Sequence, residues 1–232
     1  MSKVKLKHAS GNSMSIAAPA TNPASDLTLT LPPTIGADKE HLKVDGSGNL
    51  SFVGGSSIQV LEHFFSPADG SVMACQKGNV TLENPTDKTL ATTSWVDLPG
   101  SSITYTPPDG TTQVIYEFCF AGASDDSSAI LSWQFLIDGT VITDCRNTQR
   151  MGDNYNDNPL QFKWAVNIGG SDSDATGRRA SWSSNKTLKL QFSDYATSHD
   201  AAVNWLRNFG SGGQIDVFRR PAIGITAIGV PT

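Results

Sequence analysis

Along the first 55 residues the apolar positions come in twos and threes, each alternating with polar neighbours. Val4 and Leu6, Met14 and Ile16, Leu27, Leu29 and Leu31, Leu42 and Val44, then Leu50 and Phe52 all follow a period of two. That period predicts strands of four to six residues. Pro32-Pro33 and the run "DGSGN" at 45–49 supply the turns between them. Beyond "VGGSSIQV" the pattern thickens. Val114, Tyr116, Phe118 and Phe120 alternate on one face of "QVIYEFCF", with Ile115 and Cys119 on the other, which predicts a strand covered on both sides. "ILSWQFLIDGTVITDC" reads as a hairpin turning at Asp138-Gly139, a pair suited to a type I′ turn. "LQFKWAVNI", "TLKLQFSDY" and "AIGITAIG" add further strands. "SHDAAVNWLRNF" fits a helix capped by Ser198 or a strand alternating Val203, Trp205, Arg207 and Phe209, and the strand is favoured.

The expected organisation is therefore all-β in two parts. Residues 1–57 form an N-terminal β stem, and residues 58–232 form a β-sandwich or jelly-roll knob of eight to ten short strands. All five tryptophans lie in the second part, whereas Phe52 is the one aromatic residue among the first 55. The thin strands of the stem cannot bury their apolar face within one chain. They can bury it against copies of themselves about a shared axis. Leu27, Leu29, Leu31, Leu42, Val44, Leu50 and Phe52 are then the packing residues of a homotrimeric fibrous stem.

Charge narrows the partners. The 232-residue chain has a net charge of -5, and residues 58–232 hold 12 basic against 18 acidic groups. An acidic knob argues against nucleic acid as a partner, since a phosphate backbone is bound by clustered Lys and Arg. No apolar run is long enough for a signal peptide or a membrane-inserting span. The three cysteines lack metal-type spacing, Cys119 is expected as a buried thiol, and synthesis in a reducing host cytoplasm is expected.

Candidate chemistry is sparse. The contiguous "SHD" at 198–200 cannot form a hydrolase relay, whose members converge from separate elements. "FGSGGQ" is too short for a dinucleotide fingerprint, and the four histidines are scattered. "GDNYNDNPLQ" lacks the sixth-position glycine and twelfth-position glutamate of a calcium loop. Asp172 and Asp174 alternate beside Arg178 and Arg179, which are placed to pair with them. No catalytic residue, metal site or cofactor is therefore assigned. Asn154, Tyr155, Asn156 and Asp157 combine one ring with amide and carboxylate groups, a mixture suited to stacking on a sugar and bonding its hydroxyls. They are the receptor-contact candidates for a host surface glycan. Depolymerase activity, which needs two carboxylates about 5–9 Å apart, is a lesser alternative.

The stretches "ASGNSMSIAAPATNPASDLTLTLPPTIG" and "LKVDGSGNLSFV" resemble short modules in tail fibres and other virion structural proteins of marine podoviruses that infect cyanobacteria and related bacteria. The pieces "DLPGSSITYTPPDGTTQVIYEF", "FLIDGTVITDCR", "FKWAVNIGGSDSDATGRRASWSSNKTLKLQ" and "FRRPAIGITAIG" resemble the C-terminal domain of the same proteins. The resemblance implies a homotrimeric appendage on the virion surface, with a jelly-roll knob that recognises the host or decorates the particle. Through its stem it would contact other virion proteins. Because the stem begins almost at Met1, without a large docking domain, a capsid, collar or tail-adaptor mount is as consistent as a tail fibre proper.

Overall fold

In a computed structural model, the described residues are 3–7, 13–17, 30–33, 36, 40–45, 47, 49–54, 57–124, 129–151, 157–197, 201–207 and 217–231. Every helix or strand element among them is a β-strand. The chain divides into two compact units, 1–56 and 57–232.

The described strands of the first unit form two antiparallel pairs. β1 (Lys3–Lys7) pairs antiparallel with β2 (Ser13–Ala17), and β3 (Glu40–Val44) with β4 (Leu50–Gly54). Asp45 organises the turn between β3 and β4. Its carboxylate accepts the N–H groups of Ser47 and Asn49, both at 2.9 Å. Such an Asx arrangement fixes a tight turn with local bonds alone. Thr30 adds a parallel bridge to Asn49. Gly36 is needed where it stands, because a Cβ there would lie 2.4 Å from the Phe52 ring.

The second unit contains β5 (Gln59–Pro67), β6 (Val72–Met73), β7 (Val80–Thr81), β8 (Thr89–Leu90), β9 (Val96–Asp97), β10 (Ile103–Tyr105), β11 (Thr111–Ser124) and β12 (Ile130–Ile137). It continues with β13 (Thr140–Arg150), β14 (Asp157–Asn167), β15 (Lys186–Asp194), β16 (Ala201–Val203), β17 (Trp205–Leu206), β18 (Val217–Phe218) and β19 (Ala222–Gly229). One sheet runs β5-β19-β11-β14, with β16 and β8 continuing past the end of β19 along the same edge of β11. The other runs β10-β15-β12-β13, with β9 beside β10 on the edge of β15. Eight of these strands therefore pair first with last, second with seventh, third with sixth and fourth with fifth: β5·β19, β10·β15, β11·β14 and β12·β13. A long hairpin folded over on itself in this way is a jelly roll.

The core lies between the two sheets. Tyr116 and Phe162 of one meet Phe135 of the other, at ring separations of 4.9 and 5.5 Å, and Phe120 meets Trp133 edge-on at 6.0 Å. Several polar atoms between the sheets are satisfied by the backbone. Tyr116 Oη donates to the Ser101 carbonyl at 2.6 Å, Trp182 Nε1 to that of Tyr105 at 3.1 Å, and Ser101 Oγ accepts the Leu190 N–H at 3.0 Å.

Three expectations need adjustment. β11 is covered on both faces only at its C-terminal end, where Ala121 and Ala123 are buried too: Val114, Tyr116, Phe118 and Phe120 are buried on the inner face, while Ile115 and Cys119 are half-buried on the outer side of the sheet. An antiparallel sheet tolerates one wetted face, unlike the two-layered cover assumed for that strand. The buried thiol is that of Cys145, not Cys119. Finally, the strand expected through 203–209 is interrupted. Asn204 adopts φ +59°, held by its N–H to the Ala121 carbonyl and its Nδ2 to that of Pro99, so β16 and β17 pair with different partners. The Asp138-Gly139 turn is as expected, with φ +50° and +79° at its centre, as a type I′ turn requires.

Candidate functional site

The sequence candidates are only partly within the described residues. Asn154, Tyr155 and Asn156 lie outside them, as do Leu27 and Leu29, "SHD" at 198–200 and the glycine run at 210–213. Asp157 opens β14, is half-buried, and accepts the Arg207 N–H at 2.5 Å. Its carboxylate thus ties β14 to the end of β17. In the first unit Leu31, Leu42 and Val44 are 75%, 50% and 51% exposed, and Leu50 and Phe52 are half-buried.

The ionisable groups with displaced pKa values are engaged in holding the fold. Glu62 accepts Tyr105 Oη at 2.8 Å and the Gln76 N–H at 2.6 Å, tying β5 to β10 and to the turn after β6. Burial, reinforced by Glu62, raises Tyr105 and pushes the Cys75 thiol up to about 11. Burial likewise pushes Cys145 up to about 11. In the loop after β14, Asp172 accepts the Ala180 N–H at 2.6 Å and Asp174 pairs with Arg179 at 3.4 Å, so both carboxylates have protein partners. No group of three or more His, Cys, Asp or Glu side chains able to hold a metal occurs among the described residues.

Asp97 gives a pH prediction. Burial alone would raise its pKa. The hydrogen bonds from Lys189 Nζ at 2.7 Å and Gln191 Nε2 at 3.0 Å outweigh burial and hold it below 3.8. A carboxyl depressed in the folded state adds stability above its unfolded pKa and loses it as pH falls through the folded value. Asp97 is 57% exposed, so the contribution is discounted to about 0–1 kcal/mol. Asp97→Asn should therefore lower stability slightly at neutral pH, and the difference from the parent should shrink as acid protonates the folded-state carboxyl. Urea unfolding at neutral and acid pH reads this directly.

Among the described residues of the second unit, three grooves stand out. One of about 420 Å³ lies between β7 and β10, lined by Asn79, Thr81, Glu83, Ser102 and Thr104. A second, about 450 Å³, adjoins Lys77 on its other side and is lined by Gln59, Gln76, Pro108 and Asp109. Their charges are already committed: Lys77 forms an ion pair with Asp109, and Glu83 accepts the N–H groups of Gly100 and Ser102.

The third groove, about 260 Å³, sits at the open side of the sandwich between β13 and β14. It exists because β13 bulges. Trp133 pairs with Asn147 and Phe135 with Ile142, so residues 143–146 stand opposite Gln134 alone. A bulge of this kind redirects side chains. The displaced backbone is caught by the loop after β14, with Thr143 N–H on the Asp174 carbonyl and Asp144 N–H on that of Ala175. Trp164 reaches the same loop through Nε1 to Thr176 O at 2.9 Å. Trp133, Phe162 and Trp164 line the groove together with Asp144, Arg146, Asn147, Gln161 and Lys163. Sequence reasoning singled out none of these residues for binding. The available signal was the run "DCRN" at 144–147, polar around a core cysteine in mid-strand.

The described residues thus define an all-β protein, a jelly-roll domain preceded in the chain by a unit whose described strands pair antiparallel. No family model matches the sequence. No curated protein matches it either. Among solved structures, a chain of infectious bursal disease virus Gt strain matches at TM-score 0.32 and 12% identity, covering 95% of this chain and 52% of that one. A chain of the T13 particle of the same virus matches at TM-score 0.32 and 12% identity, covering 87% and 40%. The VP2 subviral particle of that virus matches at TM-score 0.31 and 11% identity, covering 86% and 46%. The chain spans about half the length of the structures it matches. Likenesses this distant assign no role to it, and the architecture rests on its own strand pairing.

Proposed function

We propose that this chain is a bacteriophage virion structural protein: a homotrimeric surface appendage, a tail fibre or a fibre-like decoration of capsid or tail. The N-terminal unit attaches to the particle through capsid, collar or tail-adaptor proteins, and the jelly-roll unit faces outward toward the host. The reading rests on the resemblance of the stem and knob stretches to podovirus appendages. One observation carries it: Leu31, Leu42 and Val44 remain at least half exposed in a unit whose described strands form short antiparallel pairs. Isolated two-stranded hairpins are marginal in water. A second and third copy of the same surface would cover these side chains and stabilise the hairpins together.

The test is the mass in solution. Sedimentation equilibrium at micromolar concentration is expected to give three times 24.7 kDa. A stable monomer at that concentration removes the trimer, and failure to find the chain on purified particles by immunogold labelling removes the virion role. A second reading, a host glycan-binding module, is compatible with the first and is favoured by the aromatic and polar lining of the groove between β13 and β14. A glycan depolymerase is the lesser alternative, and it fails if incubation with host envelope polysaccharide releases no reducing ends.

A further inference from the structure

We infer that the groove between the 143–146 bulge and β14 is a binding site for a glycan bearing uronic acid, with Arg146 taking the sugar carboxylate beside the Trp164 ring. The inference rests on the outward-facing reading above only for the source of the ligand, a bacterial surface polysaccharide. The chemistry rests on the groove itself.

Arg146 is exposed in an otherwise acidic domain, and it makes no hydrogen bond or ion pair among the described residues. This contrasts with its neighbours. Lys163 pairs with Glu117 at 3.4 Å, Gln161 Nε2 donates to the same carboxylate at 2.6 Å, and Arg179 pairs with Asp174. A guanidinium presents a planar fork of donors that matches a carboxylate in two parallel hydrogen bonds. The bulge, with four residues opposite one, places Arg146 in the lining of the groove.

The other lining groups suit a sugar ring. The Trp164 indole is half-buried, and its N–H is already bound to Thr176 O, so its orientation is fixed. A ring held in this way offers a flat apolar surface for the C–H face of a pyranose. Asp144 and Asn147 line the groove with Arg146. Asn147 Oδ1 is taken by the Thr148 N–H, which leaves its amide N–H groups for a hydroxyl acceptor. A volume of about 260 Å³ is below the ~300–1,000 Å³ of sites for drug-sized ligands. It suits one residue of a chain passing through an open trough. The other two grooves lack this set, because neither has an aromatic lining residue and Lys77 is neutralised by Asp109.

The test is titration calorimetry of the full chain with three probes: a galacturonate trisaccharide, a mannuronate trisaccharide and neutral maltotriose. At least one acidic trisaccharide is expected to bind saturably, more tightly than maltotriose. Arg146→Ala should weaken that binding about tenfold or more, as for loss of a charge-assisted hydrogen bond. Arg146→Lys should restore part of it, and Lys77→Ala in the neighbouring groove should leave it unchanged. Arg146 is exposed, so the variants are expected to keep the parent's thermal transition. Binding of neither acidic probe, equal binding of maltotriose, or acidic binding indifferent to Arg146→Ala each overturns the inference. None of these outcomes bears on the sedimentation or particle-labelling tests, so the appendage reading and the glycan site can fail separately.

Discussion

Replacing Phe135 with alanine is expected to lower the stability of the jelly-roll unit by about 3–5 kcal/mol. Phe135 is fully buried and stands between the two sheets, against Tyr116 at 4.9 Å and Phe162 at 5.5 Å. Its removal leaves a cavity that neither sheet can close, because each is held by its own hydrogen-bond ladder. At about 2–4 °C per kcal/mol for a domain of this size, the thermal midpoint should fall by about 6–20 °C. For many domains that is a large part of a total stability of ~5–15 kcal/mol. Phe65→Ala is the comparison. Phe65 is 48% exposed on the outer side of β5, over Gly224, and its loss should cost only about 0.5 kcal/mol. Calorimetric scans of the two variants beside the parent check both values. Equal losses would mean that the outer face of that sheet is covered in solution.

The contrast between these phenylalanines also marks what the sequence could carry. Alternation along β11 identified Val114, Tyr116, Phe118 and Phe120 as one face, and the structure buries all four. Period two is a local property of the backbone, so it survives in a single chain read without its partners. The Asp138-Gly139 turn was legible for the same reason, since two consecutive positive φ angles demand those residue types. What covers the opposite face of β11 is a tertiary fact. Ile115 and Cys119 have the same apolar character whether a second layer lies over them or water does, and the alternation cannot distinguish the two.

The candidate groove was illegible for a related reason. Its existence depends on four residues of β13 standing opposite one of β12, and on a loop about thirty residues downstream catching the displaced backbone. No glycine or proline marks the bulge, and the one local sign, the polar run from Asp144 to Asn147 around Cys145, does not say how many residues stand out of register. Asn204 is the intermediate case. Asn is one of the few residues that enter the left-handed region readily, so a break in "AAVNWL" had a local cause. The alternation of Val203 and Trp205 obscured it.

The N-terminal unit makes the sharpest demand on the proposed assembly. Substituting Leu31, Leu42 and Val44 together with serine is expected to convert a trimer at micromolar concentration into a 24.7 kDa monomer. Each trimer would lose nine apolar side chains from the surfaces its copies share. At even ~1 kcal/mol apiece the loss is roughly 10 kcal/mol, and each 1.4 kcal/mol is a tenfold change in an equilibrium constant. Within a lone chain the same substitutions exchange exposed apolar groups for exposed hydroxyls, which costs almost nothing. The variant therefore separates two sources of order. Its jelly-roll unit should melt at the parent's temperature, because Phe135, Tyr116 and Phe162 are untouched, while its sedimentation coefficient falls to that of a single chain. A triple variant that sediments like the parent would show that these three side chains face water in the assembled protein too, and that the hairpins of residues 1–56 are held by something other than copies of themselves.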